Sequence, residues 1–209
     1  LNCGPEIGVA ATKSFTSQLA TLYKITDKLC NGCINPNWVK VSAVISQILS
    51  NHSRIKEIAK NLKEISDIYV LGRGIHLSIA REAALKLKEL SYIHAEGYAA
   101  GEMKHGPIAL IDDGMPVVVL APQDHLYGKM VTAVREVKAR NGSVFAIVSE
   151  GDDTISNIAD NAYAIPKVDP MFAPFLLTIP LQLLAYHIAT LRGTDVDQPR
   201  NLAKSVTVE

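Results

Sequence analysis

The stretch from Ile68 to Ile93, IYVLGRGIHLSIAREAALKLKELSYI, decides the fold class. Ile68 to Leu71 form a short apolar run that stops at Gly72 and Gly74. Such a run, bounded by glycine, is the pattern of a strand buried on both faces of a parallel sheet. From His76 the period changes. Apolar residues at 77, 79, 80, 83, 84, 87 and 90 recur at helical spacing and predict a helix over 76–93. A strand that runs through a glycine turn into a helix is the first half of a βαβ unit, and the chain beyond repeats it. MPVVVLAP (115–122), SVFAIVS (143–149) and the short NAYAIP (161–166) read as strands. Helices are predicted over 126–141, closed by Asn141-Gly142, and over 172–192. Strands alternating with helices of this length imply an α/β fold: a doubly wound parallel sheet with helices on both faces, flavodoxin-like in its three layers.

Upstream of residue 68 only helices are predicted. Apolar residues at 15, 19, 22, 25 and 29 keep helical spacing, and NGCINPN (31–37) breaks the pattern. Two amphipathic stretches follow, 37–50 and 54–65, with NHS between them as stop and cap. The expected organisation is therefore a helical segment at 1–35, a helical connector at 36–67, an α/β domain at 68–193 and a tail at 194–209.

Composition narrows the partners. The chain has 209 residues, with 21 Lys plus Arg against 21 Asp plus Glu. That balance argues against nucleic acid and against a polybasic membrane surface. The most apolar segment, MFAPFLLTIPLQLLAYHIATL, carries two prolines, Thr and Gln, and reads as a buried helix rather than a membrane span. No signal peptide is visible, so a cytoplasmic location is expected. Cys3, Cys30 and Cys33 do not form a disulfide framework by count. CNGC at 30–33 lacks a second pair for zinc, so its cysteines are expected to be two loop thiols.

Several motifs carry possible chemistry. GRG at 72–74 follows a strand, but the dinucleotide fingerprint would need glycine where Leu77 stands, so a tight strand–helix turn is expected. Lys86 and Glu89 are three residues apart on a helix, with Glu82 one turn back. A solvated face of paired charges is the ordinary outcome of such spacing. The sequel, HAEGYAAGEMKHGP (94–107), is rich in small residues that allow a backbone to approach a ligand. His105, before Gly106-Pro107, can give and take a proton near neutral pH. In the tail, Lys204 stands between Ala203 and Ser205, and a lysine amine can form a Schiff base with a carbonyl substrate.

Three segments, GPEIGVAATKSFTSQL (4–19), EAALKLKELSYIHAEGYAAGEMKHGPIALID (82–112) and GTDVDQPRNLAKSVTVE (193–209), together closely resemble the glutamine–fructose-6-phosphate aminotransferase family. The resemblance covers the whole chain and the C-terminal third of those enzymes. It implies a sugar isomerase (SIS) domain at 68–193, preceded at 1–35 by the end of another. It implies conversion of fructose 6-phosphate and glutamine-derived ammonia to glucosamine 6-phosphate, with no cofactor and no metal. By the same resemblance, Glu89 matches the base that moves a proton between C1 and C2 of the open-chain sugar. Lys86 matches a lysine acting at the sugar oxygens, and Lys204 the lysine of the Schiff base. His105 matches a ring-opening histidine supplied by a neighbouring subunit, which implies a homodimer. Val9 and Ala203 match positions whose backbone contacts the sugar. Two family features have no counterpart here: the N-terminal cysteine of the glutaminase domain and the Ser/Thr-rich phosphate loop of the first SIS domain. The chain is thus expected to be a fragment whose partners include those upstream domains. Two other readings stay open, another SIS sugar-phosphate isomerase or deglycase, and a non-catalytic sugar-phosphate-binding module.

Overall fold

The computed structural model describes residues 1–204. Helices α1 (Lys13–Leu29), α2 (Trp38–Ser50) and α3 (Ser53–Leu62) precede strand β1 (Asp67–Gly72). Then follow α4 (His76–Ser91), β2 (His94–Ala99), β3 (Pro116–Ala121), α5 (Tyr127–Lys138), β4 (Ser143–Ser149), α6 (Ile155–Ile158), β5 (Asn161–Ile165) and α7 (Ala173–Arg192). All strand pairs are parallel, in the order β2-β1-β3-β4-β5. The doubly wound α/β fold read from the sequence is therefore present.

Each face of the sheet has its own core. On one side α3, α4 and α7 pack against β1 and β3 through Ile58, Val70, Leu87, Val118 and Leu184. On the other, α5 and the segment after β2 cover Leu71, Val119 and Ala146 with Met103, Met130 and Val134. Strand β3, buried at every residue, separates the two. Helix α7 is apolar nearly all round because it lies between α3, α4 and α2. It is the one helix among the described residues long and apolar enough to cross a membrane, and 78% of its apolar window is buried inside this fold.

Two findings depart from the sequence reading. First, HAEGYA (94–99) forms a strand where none is predicted. Its alanines and glycine give it little strand propensity of its own. It becomes a strand because β1 offers a free edge, with Asp67 to Gly72 in register with His94 to Ala99. Gly97 makes this possible: a Cβ there would lie 2.5 Å from Arg81 Cα on α4. Second, Cys30 and Cys33 are joined in a disulfide rather than being separate thiols. Cys30 ends α1, and Asn31 and Gly32 both take positive φ. That turn doubles the chain back until the two Cα atoms stand 5.4 Å apart. The GRG segment is the expected tight turn, since a Cβ on Gly72 would lie 2.4 Å from the His76 carbonyl oxygen.

Candidate functional site

Helix α4 presents Ile79, Ala83, Lys86 and Leu90 along one face, three or four residues apart. This face meets Thr178, Leu181 and Gln182 of α7. Lys86 therefore enters the interface with its side chain only 2% exposed, not on a solvated face. An ammonium so buried needs compensating charge. Glu89 supplies it through a close ion pair, and Glu82 through a second at 3.5 Å from its Oε1. The two carboxylates retain 15% and 21% side-chain exposure, Glu82 and Glu89 respectively. Burial holds the Glu82 carboxyl above the usual carboxylate range, Lys86 pulls it back down, and Glu89 adds a small upward push. The cluster is thus a buried cation held between two partly accessible carboxylates.

Beside it lies a cleft of about 320 Å³. Its walls are the N-terminal segment around Glu6 to Thr12, Gln182 and Tyr186 of α7, Leu90 of α4, and Val196 and Asp197 of the tail. Gln182 borders both this cleft and the Lys86 interface, and its amide donates to the Thr12 carbonyl at 3.3 Å. Glu6 fixes the near wall. Its carboxylate accepts from the Thr12 and Lys13 N–H groups at 2.8 and 3.0 Å, and from the hydroxyls of Thr12 and Ser14. It caps α1 from six residues upstream. Burial raises the Glu6 carboxyl, but these donors outweigh it and leave the group at about 2.

The tail is held to the same region. Thr194 Oγ1 donates to the Leu90 carbonyl at 2.7 Å, and the Val9 N–H donates to the Asp197 carbonyl at 3.0 Å. The Arg200 N–H donates to Tyr92 Oη at 2.8 Å, and the Arg200 guanidinium lies over the Tyr92 ring, 4.2 Å from its centroid. Tyr92 ends α4 in a left-handed conformation, φ 58°. That turn brings its ring towards the tail, three residues after Glu89.

Of the residues singled out from the sequence, Lys86 and Glu89 meet directly, and Val9 meets the tail. Ala203 and Lys204 follow Arg200 as exposed residues. Among the described residues no hydrogen bond or ion pair joins Lys204 to Glu89. The tail beyond Lys204 lies outside the described residues. His105 is elsewhere. It follows β2 at the carboxyl end of the sheet, with its side chain 63% exposed and Glu102 its nearest carboxylate at 4.0 Å. Glu89 sits in the last turn of α4, at the amino end. The six-residue strand between these ends spans about 20 Å. Sequence reading gave no weight to Glu6, Gln182 or Tyr92. The signal for Glu6 was faint, an acidic residue upstream of a helix start. Gln182 and Tyr92 gave none, since each acts across a long sequence separation.

Comparison with known proteins identifies the fold family. The family model described as SIS domain matches residues 61–192. The chain is 49% identical over its full length to a glutamine–fructose-6-phosphate aminotransferase (isomerizing) of Chlorobaculum tepidum, and 50% identical to one of Aquifex aeolicus. It spans 35% and 36% of those relatives, about a third of their length. Among solved structures, the C-terminal domain of glucosamine-fructose-6-phosphate aminotransferase from Francisella tularensis superposes with a TM-score of 0.82. That pair is 39% identical and covers 93% of this chain and 58% of the other. With more than half of its residues inside the match, on a five-stranded parallel sheet of the kind described above, the chain belongs to the SIS domain family.

Proposed function

We propose that this chain is the isomerase part of a glutamine–fructose-6-phosphate aminotransferase, which turns fructose 6-phosphate and glutamine-derived ammonia into glucosamine 6-phosphate. The observation that carries this reading is the buried Lys86 held between Glu82 and Glu89, beside a cleft to which both the Val9 segment and the tail are tied. Moving a proton between adjacent carbons requires a carboxylate fixed close to both. Glu89 fits that role, because its pair with Lys86 restricts its rotamer while one edge stays accessible. Lys86 offers positive charge where a sugar oxygen gains negative charge, in surroundings that screen it poorly. Lys204 is the nucleophilic amine. Anchoring at Thr194, Asp197 and Arg200 leaves only a few residues of free chain before it, which raises its effective concentration at the cleft.

His105 serves a second copy of the chain in this reading. Its exposure, and its place at the far end of the sheet from Glu89, support a role across an interface rather than within one chain. Residues 1–35 form the end of a preceding SIS domain. Helix α1 supports this, because it buries no residue fully and leaves Leu22, Ile25 and Leu29 exposed. The test is product formation by the full-length polypeptide from fructose 6-phosphate and glutamine. Glu89→Gln should lower kcat by about 100-fold or more while the variant still folds, at a melting temperature lowered by the loss of one carboxylate beside the buried Lys86. Full activity in that variant would remove Glu89 from the proton transfer.

A further inference from the structure

The face of the sheet turned away from α4 and α7 carries a second concavity, near the amino ends of β1 and β2. Side chains alternate along a strand, so Val70 and Ala95 join the core under α4 and α7, while Tyr69 and Tyr98 point to the other face. Asp67 and Tyr69 of β1 stand in register with His94 and Glu96 of β2, and all four line a cleft of about 520 Å³. The turn before β3 adds Asp112 and Asp113. Its volume is that of a small-molecule site. The sheet lies between this cleft and α4, the helix that carries Glu89.

The charge of the cleft is one-sided. Glu64, Asp67, Glu96, Asp112 and Asp113 line it, and neither lysine nor arginine does, in a chain whose charges balance at 21 to 21. Two of the five are answered locally, Glu64 by Lys63 at 3.4 Å and Asp67 by His94 at 2.8 Å. Among the described residues, Glu96, Asp112 and Asp113 enter no ion pair. Acidic side chains alone would describe only a solvated surface. Tyr69 adds an independent sign of a ligand. The residue is 5% exposed and lines the cleft, yet its hydroxyl has no hydrogen-bond partner among the described residues. Buried hydroxyls ordinarily have one. Burial holds the Tyr69 phenol above its ordinary value, and Glu96, Tyr98 and Asp67 raise it further, so the hydroxyl keeps its proton and can accept a hydrogen bond through its oxygen.

The spread of the charges narrows the ligand. Among the described residues no three acidic, histidine or cysteine side chains are grouped closely enough to hold a metal ion. The carboxylates stand apart along the walls, and Ile65, Leu110 and Met115 supply apolar surface to the same cleft. Ammonium groups separated by methylenes match both features: the charged ends donate to carboxylates and the methylenes cover apolar wall. We propose that this cleft binds a linear aliphatic polyamine, with Glu96, Asp112 and Asp113 on its ammonium groups and the Tyr69 hydroxyl accepting from one of them. The site does not depend on the catalytic reading, because the two lie on opposite faces of the sheet.

Isothermal titration of the full-length polypeptide with spermidine tests it, and magnesium chloride serves as the control for attraction by charge alone. Spermidine should bind saturably, one per chain, and magnesium at equal charge concentration should not displace it. Asp112→Asn combined with Asp113→Asn, both exposed, should weaken binding by at least about tenfold. Tyr69→Phe keeps the ring in its core and should weaken binding about threefold. Glu89→Gln should leave this binding intact, so a failure of the catalytic reading is told apart from a failure of this one. The proposal is overturned by an absence of saturable spermidine binding, by unchanged affinity in both the double variant and Tyr69→Phe, or by full displacement with magnesium. It also fails if wild-type protein binds no spermidine and the double variant changes oligomeric state, since a basic side chain of another copy would then fill the cleft.

Discussion

Lys86 lies in a stripe of apolar positions on α4, and its burial is the residue-scale event from which the candidate site follows. Removing a buried cation leaves its carboxylates facing each other without compensation. Lys86→Met should destabilise the fold by about 3 kcal/mol near neutral pH. The loss should shrink in acid. Glu82 already has a raised pKa from burial, and without Lys86 it rises further. A carboxyl whose folded pKa exceeds its unfolded value binds protons preferentially in the folded state, so stability increases as pH falls through that range. Denaturation of the variant at pH 7 and pH 5 measures this; equal losses at both would show that Glu82 does not carry the unpaired charge. The spacing of Glu82, Lys86 and Glu89 was legible in the sequence. Their burial was not, because the same spacing on a helix facing solvent gives a weak surface pair.

At the scale of elements, β2 and the start of α1 show local structure imposed from a distance. Gly97 allows β2 to lie against the backbone of α4. Gly97→Ala should lower stability by about 2 kcal/mol, read from chemical denaturation, because backbone atoms rather than a flexible side chain block the added methyl. Helix α1 lacks a cap from Thr12, and Glu6 substitutes for it. Glu6→Ala should cost about 1 kcal/mol and speed amide exchange at Thr12 and Lys13. The folded pKa of Glu6, about 2, lies below the ordinary carboxyl value of 4.5. Its stabilisation is therefore present above the unfolded pKa and is lost as pH falls from about 4.5 towards 2. The protection of these two amides, corrected for the intrinsic pH dependence of exchange, should fall over that interval in wild type and stay flat in Glu6→Ala. The strands rich in valine and isoleucine were plain in the sequence because their burial on both faces leaves a continuous apolar run. β2 was hidden because edge pairing, not composition, makes it a strand.

For the whole molecule, the junction of α2 and α3 with α7 holds a buried histidine whose protonation opposes folding. His187 on α7 is 7% exposed, and its ring stands edge-on to His52, with centroids 4.9 Å apart. Burial lowers the His187 pKa below 6.5, and the nearby His52 and Lys56 lower it further. A depressed folded pKa means that the unfolded chain takes up the proton first, so stability is present above about 6.5 and is lost as pH falls below it. His76, buried beside Asp124, is also lowered by burial and adds to the same slope. His187→Phe should flatten the dependence of melting temperature on pH between 7 and 5 without abolishing it; an unchanged slope would assign the effect elsewhere. The sequence by itself determined the α/β class, four of the five strands and every helix except the one-turn α6, since hydrophobic period is a local property that each longer segment carries alone. It also marked Lys86, Glu89, His105 and the tail through motifs whose residues lie close together in the chain. Only the tertiary structure decided that Lys86 is buried, that His105 stands at the opposite end of the sheet from Glu89, and that Glu6, Gln182 and Asp197 meet around one cleft. Those facts depend on which faces meet after chain reversal, and contact between residues far apart in sequence leaves no periodic trace in the sequence.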